Sequence, residues 1–221
     1  MNINFRKILL SIFYVFLYSI LALLPHSANA QDILNKLQQE YDQFKPDDPN
    51  KFFSTGKLAQ ALFFNQQEAE AFKLLKKDIA IASKLSDGRY SAYLYTILAI
   101  NQLIIEETSN SRQSILKAKS LADRSKDIET KGYVYYGYGW ILARQQQEVE
   151  AVKQFLIALS YYDQAKQSPT LFNRKANVYK ELTSIYANWN EFDLQEKYSK
   201  LALNIALKQK DPLTIFDSYM S

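Results

Sequence analysis

The stretch Gln66–Lys73 reads QQEAEAFK, and it returns at Gln146–Lys153 as QQEVEAVK, at an offset of 80 residues. That offset is two periods of about forty residues, and a period of about forty is typical of helix-turn-helix repeat proteins. The match therefore predicts a stack of similar helical pairs, each burying its apolar face against its neighbours. Such a stack presents an extended surface to a partner and contains no built-in catalytic centre.

The same frame aligns other positions along the chain. Two slots hold small residues and one holds large apolar residues: Ala59, Ala99 and Gly139; Ala71, Ser111 and Ala151; Leu75, Ile115 and Phe155. A fourth unit fits the frame after four extra residues around 168–171. Small residues let two helices approach closely, while large apolar ones fill the space between neighbouring pairs. The frame therefore predicts four helix-turn-helix units.

The third unit carries a more specific pattern. At relative positions 4, 7, 8, 11, 20, 24 and 27 it has Tyr135, Tyr138, Gly139, Leu142, Ala151, Phe155 and Ala158. This pattern resembles the tetratricopeptide repeat (TPR), with Tyr138 in place of the usual Leu and Leu142 in place of an aromatic residue. The other units match it in part. The resemblance implies an all-α fold, an α–α superhelix (TPR-like solenoid) of about four repeats plus a partial fifth, which binds proteins or peptides.

Helix breakers divide the chain into segments. We expect a signal peptide at 1–30, a leading helix and linker at 31–49, and a TPR-like repeat domain at 50–221. Two prolines within 45–49 are incompatible with a continuing helix, so the leading helix should end near Phe44. The turns inside the four pairs are expected near Asn65 and at 108–110, 145–147 and 188–190.

The N-terminal segment has the three-part layout of a secretory signal peptide. Arg6 and Lys7 precede the mostly apolar run 8–24, and Pro25 precedes the small-residue site at 28–30, Ala-Asn-Ala. This layout predicts export, to the periplasm of a bacterium. The alternative is a retained membrane anchor, since the apolar run is long for a signal core and just short of the roughly 20 residues of a membrane span. The chain would contact a membrane only in that second case.

The mature N-terminus is expected to be Gln31, because the cleavage site at 28–30 follows a helix breaker at a suitable distance. Intact-mass measurement of the exported protein checks this. A mass that retains residues 1–30 would establish the anchor instead.

Residue types restrict the chemistry open to the exported chain. Cysteine is absent, and the one histidine, His26, lies before the cleavage site. Zinc sites of the usual ligand types, thiol nucleophiles and imidazole-based triads are therefore not expected, and neither are disulfides. Acidic pairs such as Glu68 and Glu70 stand two apart and do not face each other on a helix. We expect no catalytic residues, no metal and no cofactor.

Charge and glycine placement point the same way. Without residues 1–30 the chain has 27 − 2 = 25 basic and 23 acidic side chains, a net charge of +2, which does not call for nucleic acid. Gly132, Gly137 and Gly139 lie in an aromatic helical stretch and lack the lysine of a phosphate-binding loop. We interpret them as packing positions. On that basis Gly139→Leu should overpack an interface, whereas Gly139→Ala should be mild because alanine favours helices.

The C-terminal stretch 212–221 reads as the start of a fifth first-helix, and its Ile215 and Phe216 are apolar. Solenoids usually end on a polar face. Two interpretations follow: the chain continues in a longer gene product, which we favour, or this end docks on a partner, including a second copy. The layout of a signal segment followed by repeats resembles the sensory half of Bacteroidota-type regulators, in which a membrane helix and an effector module come later.

In the TPR family, the first helices of the repeats line a concave groove. Carried onto this sequence, the groove positions that we favour for partner binding are Tyr93, Tyr136, Trp140, Arg144, Asn177 and Lys180. Other first-helix positions in the same register are Phe53, Gln60, Phe64, Thr96, Tyr133, Ser184 and Asn188. Tyrosine, tryptophan and arginine dominate binding energy when they occupy a groove.

One stripe in this set suggests a ligand. Tyr136, Trp140 and Arg144 stand at i, i+4 and i+8, on one face of the third first-helix. Because the stripe combines stacking area with a positive charge, we expect an extended peptide with an acidic side chain or a C-terminal carboxylate.

Three functions remain open from the sequence. The leading one is a non-catalytic periplasmic module that binds a protein or peptide segment in the groove. The second is the sensory or dimerisation domain of a membrane-tethered signalling or transcriptional regulator. The weakest is an enzyme that uses carboxylates.

Overall fold

The computed structural model describes residues 31–209, and within that range every regular element is an α-helix. In chain order the helices are α1 (31–42), α2 (Pro49–Phe64), α3 (Glu68–Ala82), α4 (Arg89–Ile104), α5 (Thr108–Arg124), α6 (Ile128–Arg144), α7 (Glu148–Gln164), α8 (Pro169–Asn188) and α9 (Phe192–Gln209). The all-α prediction is confirmed for these residues. The expected signal segment, 1–30, and the partial fifth unit, 212–221, lie outside them.

The chain divides into two compact units, Met1–Leu74 and Leu75–Ser221. In the first unit, α1 packs on α2 through Leu34, Tyr41 and Leu58. The ammonium group of Lys51 donates hydrogen bonds to the backbone carbonyls of Tyr41 and Phe44, at 3.3 and 3.1 Å. It also lies 3.8 Å from the centroid of the Tyr41 ring. This buried lysine therefore fastens the end of the leading helix to the first repeat.

The second unit contains three helix pairs, which stack on one another through a repeated pattern of contacts. Within each pair the helices contact each other, α4 with α5, α6 with α7 and α8 with α9. Between pairs, α4 contacts α6 and α6 contacts α8, while α5 packs against α6 and α7 against α8. The first helices therefore lie side by side, and each second helix covers the gap to the next pair. This is the neighbour-to-neighbour packing of a solenoid.

The turn inside each pair repeats with the predicted period. The only non-glycine residues of 31–209 with positive φ are Gln66, Glu106, Gln146 and Asn190, one in each turn, at φ between 58° and 64°. In the third turn the backbone N–H of Gln147 reaches back to the carbonyl of Leu142 at 2.9 Å, as in a Schellman helix end. The offsets of 40, 40 and 44 residues reproduce the frame, including the four extra residues of the last unit.

One predicted turn was misplaced. The sequence places the second turn at 108–110, whereas the chain reverses at 105–107 and α5 begins at Thr108. The Thr-Ser-Asn composition is typical of a loop, although these residue types also begin helices. Here Asn110 donates a hydrogen bond to the Glu107 carboxylate at 2.9 Å, which stabilises the first turn of α5.

Gln146→Gly is expected to stabilise the protein by about 0.5–1 kcal/mol, because the left-handed conformation costs an L-residue roughly 1–2 kcal/mol and the extra freedom of glycine in the unfolded chain offsets only part of that gain. The Gln146 side chain is exposed, so few packing contacts are lost. Thermal denaturation checks the gain. Asn190→Gly is the matched control and should gain less, because asparagine tolerates this conformation better. An equal or lower melting temperature for Gln146→Gly would contradict the argument.

The glycines of α6 are packing positions, as predicted. A Cβ atom at Gly132 would meet the ring of Tyr162, and one at Gly137 would meet the Thr96 side chain. At Gly139 it would lie 2.7 Å from two ring carbons of Phe155 and 3.1 Å from the Ala151 carbonyl oxygen. The structure therefore argues against the expectation that Gly139→Ala is mild, because even one methyl group would lie 2.7 Å from a buried ring. The close approach is to α7, the second helix of the same pair.

Candidate functional site

The predicted stripe lies along one face of α6. Tyr136 and Trp140 are half-buried and Arg144 is exposed. The Arg144 guanidinium lies 4.5 Å from the centroid of the Trp140 ring, a cation–π contact. Trp140 packs against two apolar clusters, one shared by the second and third pairs and one shared by the third and fourth. The aromatic part of the stripe is therefore held by packing and remains partly accessible.

The charge of Arg144 is already engaged. Its Nη1 and Nη2 donate to the two carboxylate oxygens of Glu181 on α8, at 2.7 and 3.2 Å. This two-pronged geometry is the strong form of an arginine–carboxylate pair. The expectation that Arg144 binds an acidic group of a ligand did not include this pairing with Glu181, and it stays a prediction. A ligand carboxylate would have to compete with Glu181 or bind the remaining N–H groups of the partly exposed guanidinium.

Tyr93, on α4, is one of the predicted groove residues, and it is buried. It is 9% exposed, and its ring centroid lies 5.1 Å from that of Tyr133. Burial raises the pKa of the Tyr93 hydroxyl to about 12, although the charge of Arg174 acts in the opposite direction. Arg174 lies over the Tyr133 ring at 5.1 Å and pairs with Glu129 at 2.8 Å. Tyr93 thus supports the wall of the groove, which corrects its placement among accessible contact residues.

Thr96 is also core rather than groove. It is fully buried beneath Gly137, and its hydroxyl donates to the Ala92 carbonyl at 2.8 Å. Whether a residue of α4 faces the groove or the packed interface depends on how the helix is rotated about its axis. The sequence alone does not determine that rotation.

On α8 the predicted residues lie nearer to solvent. Asn177 and Ser184 are exposed, and Lys180 is half-buried. Asn188 is exposed and donates to the Glu148 carboxylate at 3.1 Å, which also accepts a 2.6 Å bond from the Trp189 ring nitrogen. The remaining predicted positions, Phe53, Gln60 and Phe64, belong to α2 in the first unit, where Phe53 and Phe64 are exposed.

A cavity of about 560 Å³ opens where α4 and α6 end. Its lining residues are Leu103, Ile104, Glu106, Thr108, Trp140, Arg144 and Gln145. Ile104, at 43% exposed, and Trp140 supply apolar surface, while Arg144 contributes a charged group. A cavity of this size, with an aromatic wall and with Glu106, Thr108, Arg144 and Gln145 also in its lining, suits an apolar side chain flanked by polar groups.

Sequence reasoning missed two kinds of residue at this site. The acidic partners Glu181 and Glu129 were overlooked, although each pairs with an arginine on a neighbouring first helix. Ile104 was overlooked as well, even though it occupies the slot of Arg144 one period earlier. The repeat frame itself could have found Ile104 by comparing that slot between units.

Two searches bear on other site types. Within residues 31–209, no group of three or more His, Cys, Asp or Glu side chains is placed to hold a metal ion. Over the same range, the helices fall short of the length and apolar character that crossing a bilayer requires.

Comparison with solved structures identifies the fold. The chain is similar to aspartyl phosphate phosphatase F from Bacillus subtilis, with a TM-score of 0.64, 16% identity, and coverage of 77% of this chain and 44% of that one. It is similar to BtubC (BKLC) from P. vanneervenii, with a TM-score of 0.63, 18% identity, and coverage of 87% and 78%. A Podosopora anserina protein of nearly identical TPR-like repeats, described as a candidate kinesin light chain, matches at 0.50 and 15% identity, with coverage of 84% and 91%.

These similarities define the class of protein. The chain has the fold of a TPR-like helical-repeat protein. It spans less than half the length of the phosphatase chain that it matches. No family model matches the chain, and no curated protein does.

Proposed function

We propose that this chain is a non-catalytic interaction module that acts in the periplasm and binds a protein or peptide segment along α4, α6 and α8. The observation that carries the proposal is the cavity between Ile104 and Trp140, which opens at the end of the predicted stripe. Its aromatic wall is held by two cores, so binding would require little ordering of the site.

The chemistry of the cavity describes the partner segment. An aliphatic or aromatic side chain of the segment would bury itself between Ile104 and the Trp140 ring. The ion pair of Arg144 and Glu181 offers both donors and acceptors, which suits backbone or polar groups flanking that side chain. The partner is therefore an extended segment with one apolar anchor.

Capture of partners from a periplasmic extract tests this proposal. Partners retained by the wild-type protein should be lost by Trp140→Ala and kept by Trp189→Ala. The two variants remove the same side chain, but only Trp140 lines the cavity. Circular dichroism establishes that both variants remain helical. If both variants keep the same partners, the cavity is not the binding site.

A second candidate is the sensory or dimerisation domain of a membrane-tethered signalling protein. Exposed apolar side chains at the starts of second helices favour it: Val149 is 60% exposed and Phe192 is 67% exposed. Light scattering after size exclusion would detect a dimer, which Phe192→Ser should dissociate. A monomer at all accessible concentrations would contradict this candidate.

A further inference from the structure

A second cavity, of about 780 Å³, shares no lining residue with the cavity at Trp140. It is formed by the end of α3 with the following connector, the first turns of α4, and the end of α5. Its volume lies within the range of pockets that hold small organic ligands. The second cavity is thus large enough for a small molecule.

One wall of this cavity is positively charged. Lys117, Arg124 and Lys126 line it, and all three are exposed. Neither lysine forms an ion pair within residues 31–209, and Arg124 donates only to the Ser120 carbonyl, at 3.1 Å. The positive charges of these three side chains are therefore not balanced by ion pairs with the surrounding residues.

The one carboxylate that lines the cavity is already satisfied. Asp87 accepts hydrogen bonds from the Ser125 hydroxyl at 2.9 Å and from the Arg89 backbone N–H at 3.0 Å. Its second oxygen lies 3.3 Å from Nε of Arg89. Arg89 also pairs with Asp127 at 3.4 Å. Asp87 thus belongs to a closed network, and it leaves the three cations without a counter-charge.

The first turn of α4 adds donors to the same cavity. The helix begins after Gly88, and the backbone N–H of Arg89 donates to Asp87, while the positive end of the helix dipole still lies beside the cavity. Ser91 lines the cavity and is 1% exposed, and its hydroxyl has no hydrogen-bond partner among residues 31–209. A buried hydroxyl without a partner is costly, so an acceptor atom at this position would be favoured.

Apolar surface covers another part of the cavity. Leu121 and Tyr95, both half-buried, lie along it. One period later, the positions of Lys117 and Arg124 hold Ile157 and Gln164, so repeat packing does not require these cations. One period earlier the same two slots hold Lys77 and Lys84, so the preceding unit carries cations at these positions as well.

We propose that this cavity binds a phosphorylated small molecule. The phosphate group would lie at the start of α4, between Ser91 and the three cations, where helix termini favour anions. The organic part would lie against Leu121 and Tyr95. This inference is independent of the proposed peptide site, because the two cavities share no residue.

Calorimetric titration of the exported chain at low salt tests the proposal, with phenyl phosphate and inorganic phosphate as probes. Phenyl phosphate should bind saturably, and inorganic phosphate at least tenfold more weakly. Arg124→Gln combined with Lys126→Gln should weaken phenyl phosphate binding at least tenfold. Ser91→Ala should weaken it severalfold without lowering the melting temperature, because the lost hydroxyl has no hydrogen-bond partner among residues 31–209.

Lys153→Gln combined with Lys166→Gln is the matched control, since it removes the same charge from exposed positions elsewhere. This control should leave the affinity unchanged. An equal loss of affinity in both double variants would show that phenyl phosphate binds by general charge attraction. That result would contradict the proposed site. Failure of phenyl phosphate to bind would overturn it as well. Equal affinity for the two probes would overturn the organic ligand in favour of free phosphate.

Discussion

Gly139→Leu is expected to lower the free energy of unfolding by about 1–3 kcal/mol or more, because an extra side chain must enter a filled contact between α6 and α7. The ring of Phe155 is fully buried and lies 2.7 Å from the position of the new Cβ, and the Ala151 carbonyl oxygen lies 3.1 Å from it. For a chain of this length each kcal/mol shifts the melting temperature by about 2–4 °C. Thermal denaturation followed by circular dichroism measures the shift.

The smaller change, Gly139→Ala, separates two effects. Alanine favours the helix by about 1 kcal/mol over glycine, but the methyl group would lie 2.7 Å from the Phe155 ring. We expect the collision to prevail and the variant to be less stable than wild type. In a Phe155→Leu background the same change should cost less or become stabilising. Ala99→Gly, in the same slot of the second pair, is the control and should cost about 1 kcal/mol.

An unchanged melting temperature for Gly139→Leu would contradict the repeat frame at this position. A cost for Gly139→Ala that is equal with Phe155 and with Leu at position 155 would show that the ring is not the obstacle. Both outcomes can be measured without knowing the ligand, because both depend on packing alone.

The repeat frame could be predicted from the sequence because it rests on local spacing. Small residues such as Ala99 and Gly139 recur where helices approach, and the turn residues Gln146 and Glu106 follow the same period. The turn at Glu106 was misplaced because the Thr-Ser-Asn sequence at 108–110 has the composition of a loop, although it begins α5. Residue type does not mark Glu106 as the turn, since glutamate rarely adopts positive φ.

The candidate site was predictable only in part, for a related reason. Tyr136, Trp140 and Arg144 share a face because helical geometry dictates it. The pairing of Arg144 with Glu181 depends on how α6 and α8 are set against each other, which is a tertiary property. The burial of Tyr93 likewise depends on the rotation of α4 and on the ring of Tyr133. The spacing of residues within one helix predicts neither the pairing of Arg144 with Glu181 nor the burial of Tyr93.

Partner binding is expected to weaken by about 2 kcal/mol or more in Trp140→Ala, because a rigid aromatic wall in a cavity is a typical hot spot. The measurement is the dissociation constant of a purified partner, taken by titration at two salt concentrations. If binding is unchanged in Trp140→Ala combined with Arg144→Ala, the second helices or the apolar end near Phe216 become the better candidates.

Substitutions of Arg144 and Glu181 test whether the ligand carries a carboxylate. If it does, as the sequence suggested, Glu181→Gln should tighten binding, because Arg144 is then released from its present partner. Arg144→Ala should weaken it, and this loss should shrink as salt rises because the guanidinium is partly exposed. If the ligand anchors only through an apolar side chain, Glu181→Gln should leave the affinity nearly unchanged while Trp140→Ala still weakens it. Tighter binding on loss of Arg144 would contradict both forms, since it would require a ligand that Arg144 repels.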